Sequence, residues 1–370
     1  MSKRNAGFGK EQILDALKDL HESGQSIWLD NITRTLLTSG TLGRYIDELS
    51  VTGLTSNPTI FERAISGSTD YDDSIKALLG RGLSAEDLFF ELAIEDLVIA
   101  ADHFRRVYEV SGGADGFVSL EVSPELAHDA AGTIDAAQRL HARADRSNLL
   151  IKVPGTREGI AAIEELISLG IPINVTLLFS TAHWAAAAEA YTRGIERRLA
   201  AGSCPDVASV ASVFISRWDQ SLAPRLETSL RDRIGIAIAH CTYRAANDFF
   251  GGERWRRLEA EGARPQRLLW ASTGTKNPEL PPGYYVSALA APGTVNTMPE
   301  NTLLAFHADG ILAGGIGSGA AAAATLQEVA RSGVDLDALA EGLQADGRDA
   351  FIADFDKLLR GIDAKCSDLG

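Results

Sequence analysis

The feature that most constrains this chain is a rhythm. Short apolar runs alternate with longer stretches of helical periodicity from end to end, the pattern of βα units and a parallel sheet. About eight such runs occur: Ile27–Leu29, Gly53–Thr55, Gly116–Glu121, Leu149–Val153, Pro172–Val175, Val207–Phe214, Arg267–Ala271 and Tyr284–Leu289. That number favours a closed barrel over an open sheet. No linker, repeat or low-complexity segment divides the 370 residues. The chain therefore reads as one α/β domain, residues 1–370, built as a (β/α)8 barrel.

The helical stretches fit this frame. Ser84 stands as an N-cap ahead of Glu86 and Asp87, and Leu88, Leu92, Ile94, Leu97, Val98 and Phe104 follow with helical spacing. A second helix is predicted over Arg157–Leu169, with Ile160, Ile163 and Ile167 on one face and Gly170 as its stop. Gln220–Gly262 holds more helical pattern than one βα unit needs, which predicts extra helices between the sixth and seventh strands. Pro299–Gly310 and Ala320–Leu359 read as closing helices.

Fifty acids against 35 lysines and arginines give a formal charge of −15, which argues against nucleic acid or an anionic membrane surface as a partner. Any anion this chain binds needs a local basic pocket. Met1–Lys10 lacks the apolar core of a secretory signal, and no stretch approaches the roughly 20 apolar residues of a membrane helix. The three cysteines, Cys204, Cys241 and Cys366, show no metal-binding spacing. A reducing cytoplasm and no metal are the expectation.

In a barrel of this type, chemistry sits where the strands end. Lys152 interrupts Leu149-Leu150-Ile151-Lys152-Val153-Pro154, otherwise a buried parallel strand. Burial disfavours an ammonium and so favours the free amine that attacks a carbonyl; the competing reading is a lysine that snorkels or pairs with a core acid. Glu121 and Asp30 close two other runs and would face the same mouth, where two acids can divide acid and base work, or merely neutralise the lysine, or, for Asp30, cap a helix. Asn57 lies in Thr55-Ser56-Asn57-Pro58-Thr59, by itself an ordinary turn. Asn174 and Thr176 read equally as caps for the next helix. Ser212 is a further polar strand end, and Arg217 and Lys276, with Ser272, are candidates for a phosphate clamp, against the plainer reading of the two cations as surface charges.

The segments Thr55-Ser56-Asn57-Pro58-Thr59-Ile60, Leu150-Ile151-Lys152-Val153-Pro154 and Ile173-Asn174-Val175-Thr176-Leu177-Leu178-Phe179-Ser180 occur in this order. On them the chain resembles the transaldolases, and Trp270-Ala271-Ser272-Thr273-Gly274-Thr275-Lys276-Asn277-Pro278 resembles the longer branch found in actinobacteria and in fusions to a sugar-phosphate isomerase. The resemblance implies a class I aldolase barrel of the non-oxidative pentose phosphate pathway, working without metal or organic cofactor. It implies Lys152 as the Schiff-base residue, Glu121 and Thr176 as holders of a proton-relaying water, and Asp30 as the acid/base at the donor's C4 hydroxyl. Asn57, Asn174 and Ser212 would bind the dihydroxyacetone unit. Arg217 and Ser272 match the family's phosphate site, whose usual arginine appears here as Lys276, displaced along the chain.

Phosphorylated sugars are thus the expected partners, for a monomer or homodimer. Two alternatives stand beside this reading. Fructose 6-phosphate aldolases, which share the barrel and the lysine, carry Gln and Tyr where this chain has Glu121 and Phe214. A catalytically silent barrel that only binds sugar phosphates is the other.

Overall fold

The computed structural model describes residues 16–312, 314–317 and 319–370; the expectation for Met1–Lys10 lies outside them. Eight parallel strands close into a barrel in chain order: β1 (Ser26–Asp30), β2 (Val51–Thr55), β3 (Val118–Glu121), β4 (Leu149–Pro154), β5 (Ile173–Leu178), β6 (Ser209–Phe214), β7 (Arg267–Ala271) and β8 (Val295–Met298).

Side chains alternate across each strand, so every strand divides its residues between the helical shell and the barrel interior. Ile27, Leu29, Ile151, Val153, Val175 and Val213 belong to the large outer core shared with the helices. Trp28, Leu150, Val210, Leu269 and Val295 form a second apolar cluster. One alternation further along, the inward positions turn polar: Asp30, Thr55, Glu121, Lys152, Thr176, Ser212 and Thr297. The interior is therefore apolar below and ionisable at its C-terminal mouth. Trp28 also dictates the residue beside it, because a Cβ on Gly53 would lie 2.5 Å from the Trp28 indole nitrogen.

The helix from Ser84 forms as expected: Ser84 accepts from the Asp87 amide and the helix runs Ala85–Val110. So does Arg157–Leu169, which ends on a left-handed Gly170. Between β6 and β7 lie Ser216–Leu222, Ile234–Phe250 and Glu253–Ala260, the expected elaboration. The closing segment comprises Glu300–Asp309, Ala320–Arg331 and Leu336–Leu369.

The eighth strand is a correction. Tyr284–Ala288 is a short helix, and β8 is Val295–Met298, paired with both β1 and β7. Aromatic and β-branched residues gave the Tyr284 run a strand-like composition, but Pro281 and Gly283 begin a turn whose carbonyls accept from the Tyr284 and Ser287 amides. The true strand, Val-Asn-Thr-Met, carries the buried polar residues Asn296 and Thr297 on opposite faces and has no apolar run to reveal it.

Candidate active site

Lys152 is 6 % exposed on β4, at the level of Glu121 on β3 and Asn174 on β5 in the parallel register. Its Nζ donates to the Ser56 carbonyl at 2.9 Å and stands 3.4 Å from Glu121 Oε2. The lysine thus has the core acid of the plainer reading as its partner and still borders a cavity. Burial raises the Glu121 carboxyl above its ordinary value, the Lys152 charge opposes this, and the nearby Asp30 raises it further. Asp30 is also raised by burial, against the charge of Lys152 and a hydrogen bond from Thr55. That bond, Thr55 Oγ1 to Asp30 Oδ1, is 2.8 Å, and Thr55 lies 2.7 Å from the Thr297 hydroxyl.

On the far side of the lysine, Asn174 donates to Ser119 at 3.1 Å and accepts from Ser212 at 2.7 Å. This fixes the amide's orientation and leaves Ser212 aimed by it. Thr176 Oγ1 is buried and has no partner among the described residues. Neither Asn174 nor Thr176 caps a helix, since both lie within β5 and Ser180 caps the helix Thr181–Ala200. Likewise Thr33, not Asp30, caps the helix after β1. Asn57 does cap its helix, Pro58–Ser66, by accepting from the Ile60 amide at 3.0 Å, and it lines the cavity as well.

That cavity holds about 280 Å³ and is lined by Asp30, Thr55, Asn57, Lys152, Thr176 and Ser212, and towards its rim by Phe214, Arg217, Ser272 and Phe351. Larger surface grooves exist between helices, such as the one of about 430 Å³ beside Glu86 and Arg143, but their walls carry none of these strand-end groups. Arg217 lies 5.3 Å over the Phe214 ring and 5.9 Å over that of Phe351. Burial depresses its ionisation, and the charges of Asp346 and Asp354 oppose that effect. Ser216, its neighbour, lies 3.0 Å from the Ser272 hydroxyl. Ser272 has a left-handed φ of 57° and Leu177 one of 58°, conformations costly for residues with a Cβ. Ser272 lines the cavity, and the Leu177 carbonyl accepts from Gln344 of the C-terminal helix.

Sequence reasoning brings most of its candidates to one place, with Glu121 and Asn174 just behind the cavity wall and Lys276 exposed in the loop after β7, outside the lining. It missed Thr55, Thr297, Arg63 and Phe351, which line the cavity. Thr59 and Arg63 were findable, because they stand one turn apart on the helix that Asn57 caps. Phe351 was not. It reaches the mouth from the long C-terminal helix Leu336–Leu369, which crosses the rim; there Gln344 donates to the Gly155 and Leu177 carbonyls at 3.1 and 2.9 Å, and Asp354 accepts from Thr59.

An amine kept beside acids in a small polar cavity is the equipment of enzymes that hold a carbonyl substrate as an imine. Residues 27–362 match the family described as Transaldolase/Fructose-6-phosphate aldolase, and the chain belongs to that family. It is 45 % identical over 345 residues to the transaldolase of Neisseria gonorrhoeae, covering 93 % of this chain and 98 % of that one. Against the transaldolase of Saccharopolyspora erythraea it is 42 % identical, covering 94 % and 96 %. Against that of Thiobacillus denitrificans it is 43 % identical, covering 94 % and 100 %.

Proposed function

We propose that this enzyme transfers a dihydroxyacetone unit from a ketose phosphate to an aldose phosphate through a Schiff base on Lys152. The observation that carries the reading is the buried Lys152, 3.4 Å from Glu121 at the floor of a cavity with Asp30 on its wall.

Lys152 attacks the C2 ketone of fructose 6-phosphate or sedoheptulose 7-phosphate, and loss of water gives an iminium. Glu121, with its proton affinity raised by burial, and the unpartnered Thr176 hydroxyl are placed to pass protons in that dehydration. Asp30 then removes the C4 hydroxyl proton. The C3–C4 bond breaks, C4 leaves as the aldehyde of the shorter sugar phosphate, and the electron pair passes to the iminium nitrogen as an enamine. Thr55 holds the Asp30 carboxylate for this task. Erythrose 4-phosphate or glyceraldehyde 3-phosphate enters, C3 attacks its aldehyde carbon, and the new alkoxide takes the proton back from Asp30. Water releases the product and frees Lys152. Asn57, Asn174 and Ser212 hold the dihydroxyacetone hydroxyls, and Arg217 with Ser272 receives phosphate.

Transfer is favoured over free aldol cleavage by Phe214, a cavity-wall residue with no proton to give the waiting enamine. A silent binding barrel is disfavoured, because a buried lysine facing two acids costs stability and returns none by binding alone. No described helix is long and apolar enough to cross a membrane, and three free cysteines fit a reducing cytoplasm. The test is glyceraldehyde 3-phosphate release from fructose 6-phosphate with and without erythrose 4-phosphate. Release that depends on the acceptor is expected; release without it would replace the reading by aldolase, and none in either case would remove it.

A further inference from the structure

Arg217 alone leaves the phosphate under-compensated. A sugar phosphate carries about −1.5 to −2 at neutral pH, and Arg217 supplies one positive charge, itself shared with the fields of Asp346 and Asp354. Lys152 is committed to the ketone and to Glu121. Lys276, which the sequence pattern offers as the second cation, is exposed like Arg63 but, unlike it, lies outside the cavity lining. In a protein of net charge −15, bulk electrostatics make up none of this deficit.

One other cation lines the cavity: Arg63, on the helix Pro58–Ser66. Among the described residues its side chain has no hydrogen bond and no ion pair, and the acids that could claim it are engaged elsewhere. Glu62 pairs with Lys357 at 3.0 Å, and Asp354 accepts from Thr59. Arg63 follows β2 and Arg217 follows β6, strands that face each other across an eight-membered ring. Both arginines line one cavity, on helices that follow opposed strands, with Phe351 at its rim and beneath Arg217. The C-terminal helix touches both: Thr59 on the helix of Arg63 bonds Asp354, and Gly347 packs so closely on Arg217 that a Cβ there would come within 2.9 Å of Nη1.

Resting on the sugar-phosphate reading above, we propose that Arg63 is the second arm of the phosphate clamp and sets the preference for phosphorylated over unphosphorylated sugars, in the place that Lys276 would otherwise take. Arginine suits this role, since its fork binds two phosphate oxygens at once.

The experiment compares wild type with Arg63→Ala, Arg63→Lys and Lys276→Ala. KM is measured for erythrose 4-phosphate and for erythrose as acceptors, and inorganic phosphate is titrated as a competitor. Arg63→Ala is expected to raise KM for erythrose 4-phosphate by about tenfold or more and to weaken phosphate inhibition in parallel. The ratio of KM for erythrose to KM for erythrose 4-phosphate falls accordingly. Arg63→Lys recovers part of the loss, and Lys276→Ala moves KM less than about twofold. Wild-type KM and phosphate inhibition retained in Arg63→Ala would overturn the proposal, as would finding the tenfold loss in Lys276→Ala. Borohydride trapping of wild type with fructose 6-phosphate separates the two readings: an adduct on Lys152 upholds the Schiff base whatever Arg63 does, and its absence strikes the functional reading itself.

Discussion

The two ends of the barrel both bury charge, and they treat it differently. At the N-terminal end, Asp115 accepts from the Ser26 hydroxyl, from Trp28 Nε1 at 2.8 Å and from the Gly116 amide at 3.0 Å. Arg267 beside it donates to the Ala114, Gly293 and Thr294 carbonyls and to Ser26. Every bond of that cluster closes within the protein. At the C-terminal mouth, Arg217 makes no hydrogen bond among the described residues, Thr176 has an unpartnered hydroxyl, and Asp30 has one hydroxyl donor. Saturated charges brace a fold; unsaturated ones wait for a ligand.

The largest expected effect breaks the mouth. Lys152→Met should lower turnover by about 10⁴ or more and abolish borohydride trapping, while the thermal midpoint moves by only a few degrees. The modest stability change follows because losing a desolvated ammonium offsets leaving Glu121 without its cation. Substantial residual turnover would sink the role of the lysine.

Asp115→Ala is the mirror experiment at the other end. It removes the acceptor of an indole N–H and of a hydroxyl, and the negative charge beside the Arg267 guanidinium, and should cost about 3 kcal/mol in urea unfolding. Activity per folded molecule should stay near wild type. A stable but inactive variant would mean that the closed cluster has a catalytic task after all.

The same contrast explains what was legible in the sequence. Strand ends that combine an apolar run with one misplaced polar residue, such as Leu149–Val153 with Lys152, were readable because burial and charge conflict within a few residues. β8 was not, since the buried polar residues Asn296 and Thr297 interrupt it and leave no apolar run. Lys276 was misplaced because proximity in sequence to Ser272 says nothing of which way a loop turns. Arg63 lay one turn beyond a motif that was read only as far as its turn, and Phe351 arrives from a helix whose course no local pattern encodes.

Asp219 sharpens the comparison, being a saturated carboxylate on the same short helix as the unsaturated Arg217. It accepts from the Ile234 amide at 2.8 Å, the Gly235 amide at 3.3 Å and the Tyr285 hydroxyl at 2.9 Å. Burial nevertheless outweighs these donors and pushes its carboxyl up to about 6, with Asp232 adding to the rise. An acid raised on folding stabilises the folded state below its unfolded value, near 4, and loses that contribution as pH rises through about 6. The unfolding free energy of wild type minus that of Asp219→Asn should therefore fall between pH 4 and 7, by roughly 2 to 3 kcal/mol. A difference that grows with pH would show that the three donors, and not burial, govern this group.

Phe214→Tyr is the smallest expected effect and the finest test of why the mouth is left unsaturated. Phe214 packs 5.3 Å from Phe179, under Arg217, and lines the cavity that must hold an enamine until an acceptor arrives. A phenolic hydroxyl on that ring would place a proton donor in the cavity wall, and protonation of C3 would convert the held unit into free dihydroxyacetone. The variant should release dihydroxyacetone from fructose 6-phosphate several-fold faster than wild type when no acceptor is present, with transfer falling by a similar factor. An unchanged ratio of release to transfer would place control of protonation elsewhere, at Glu121 and Thr176, the pair proposed above to relay protons.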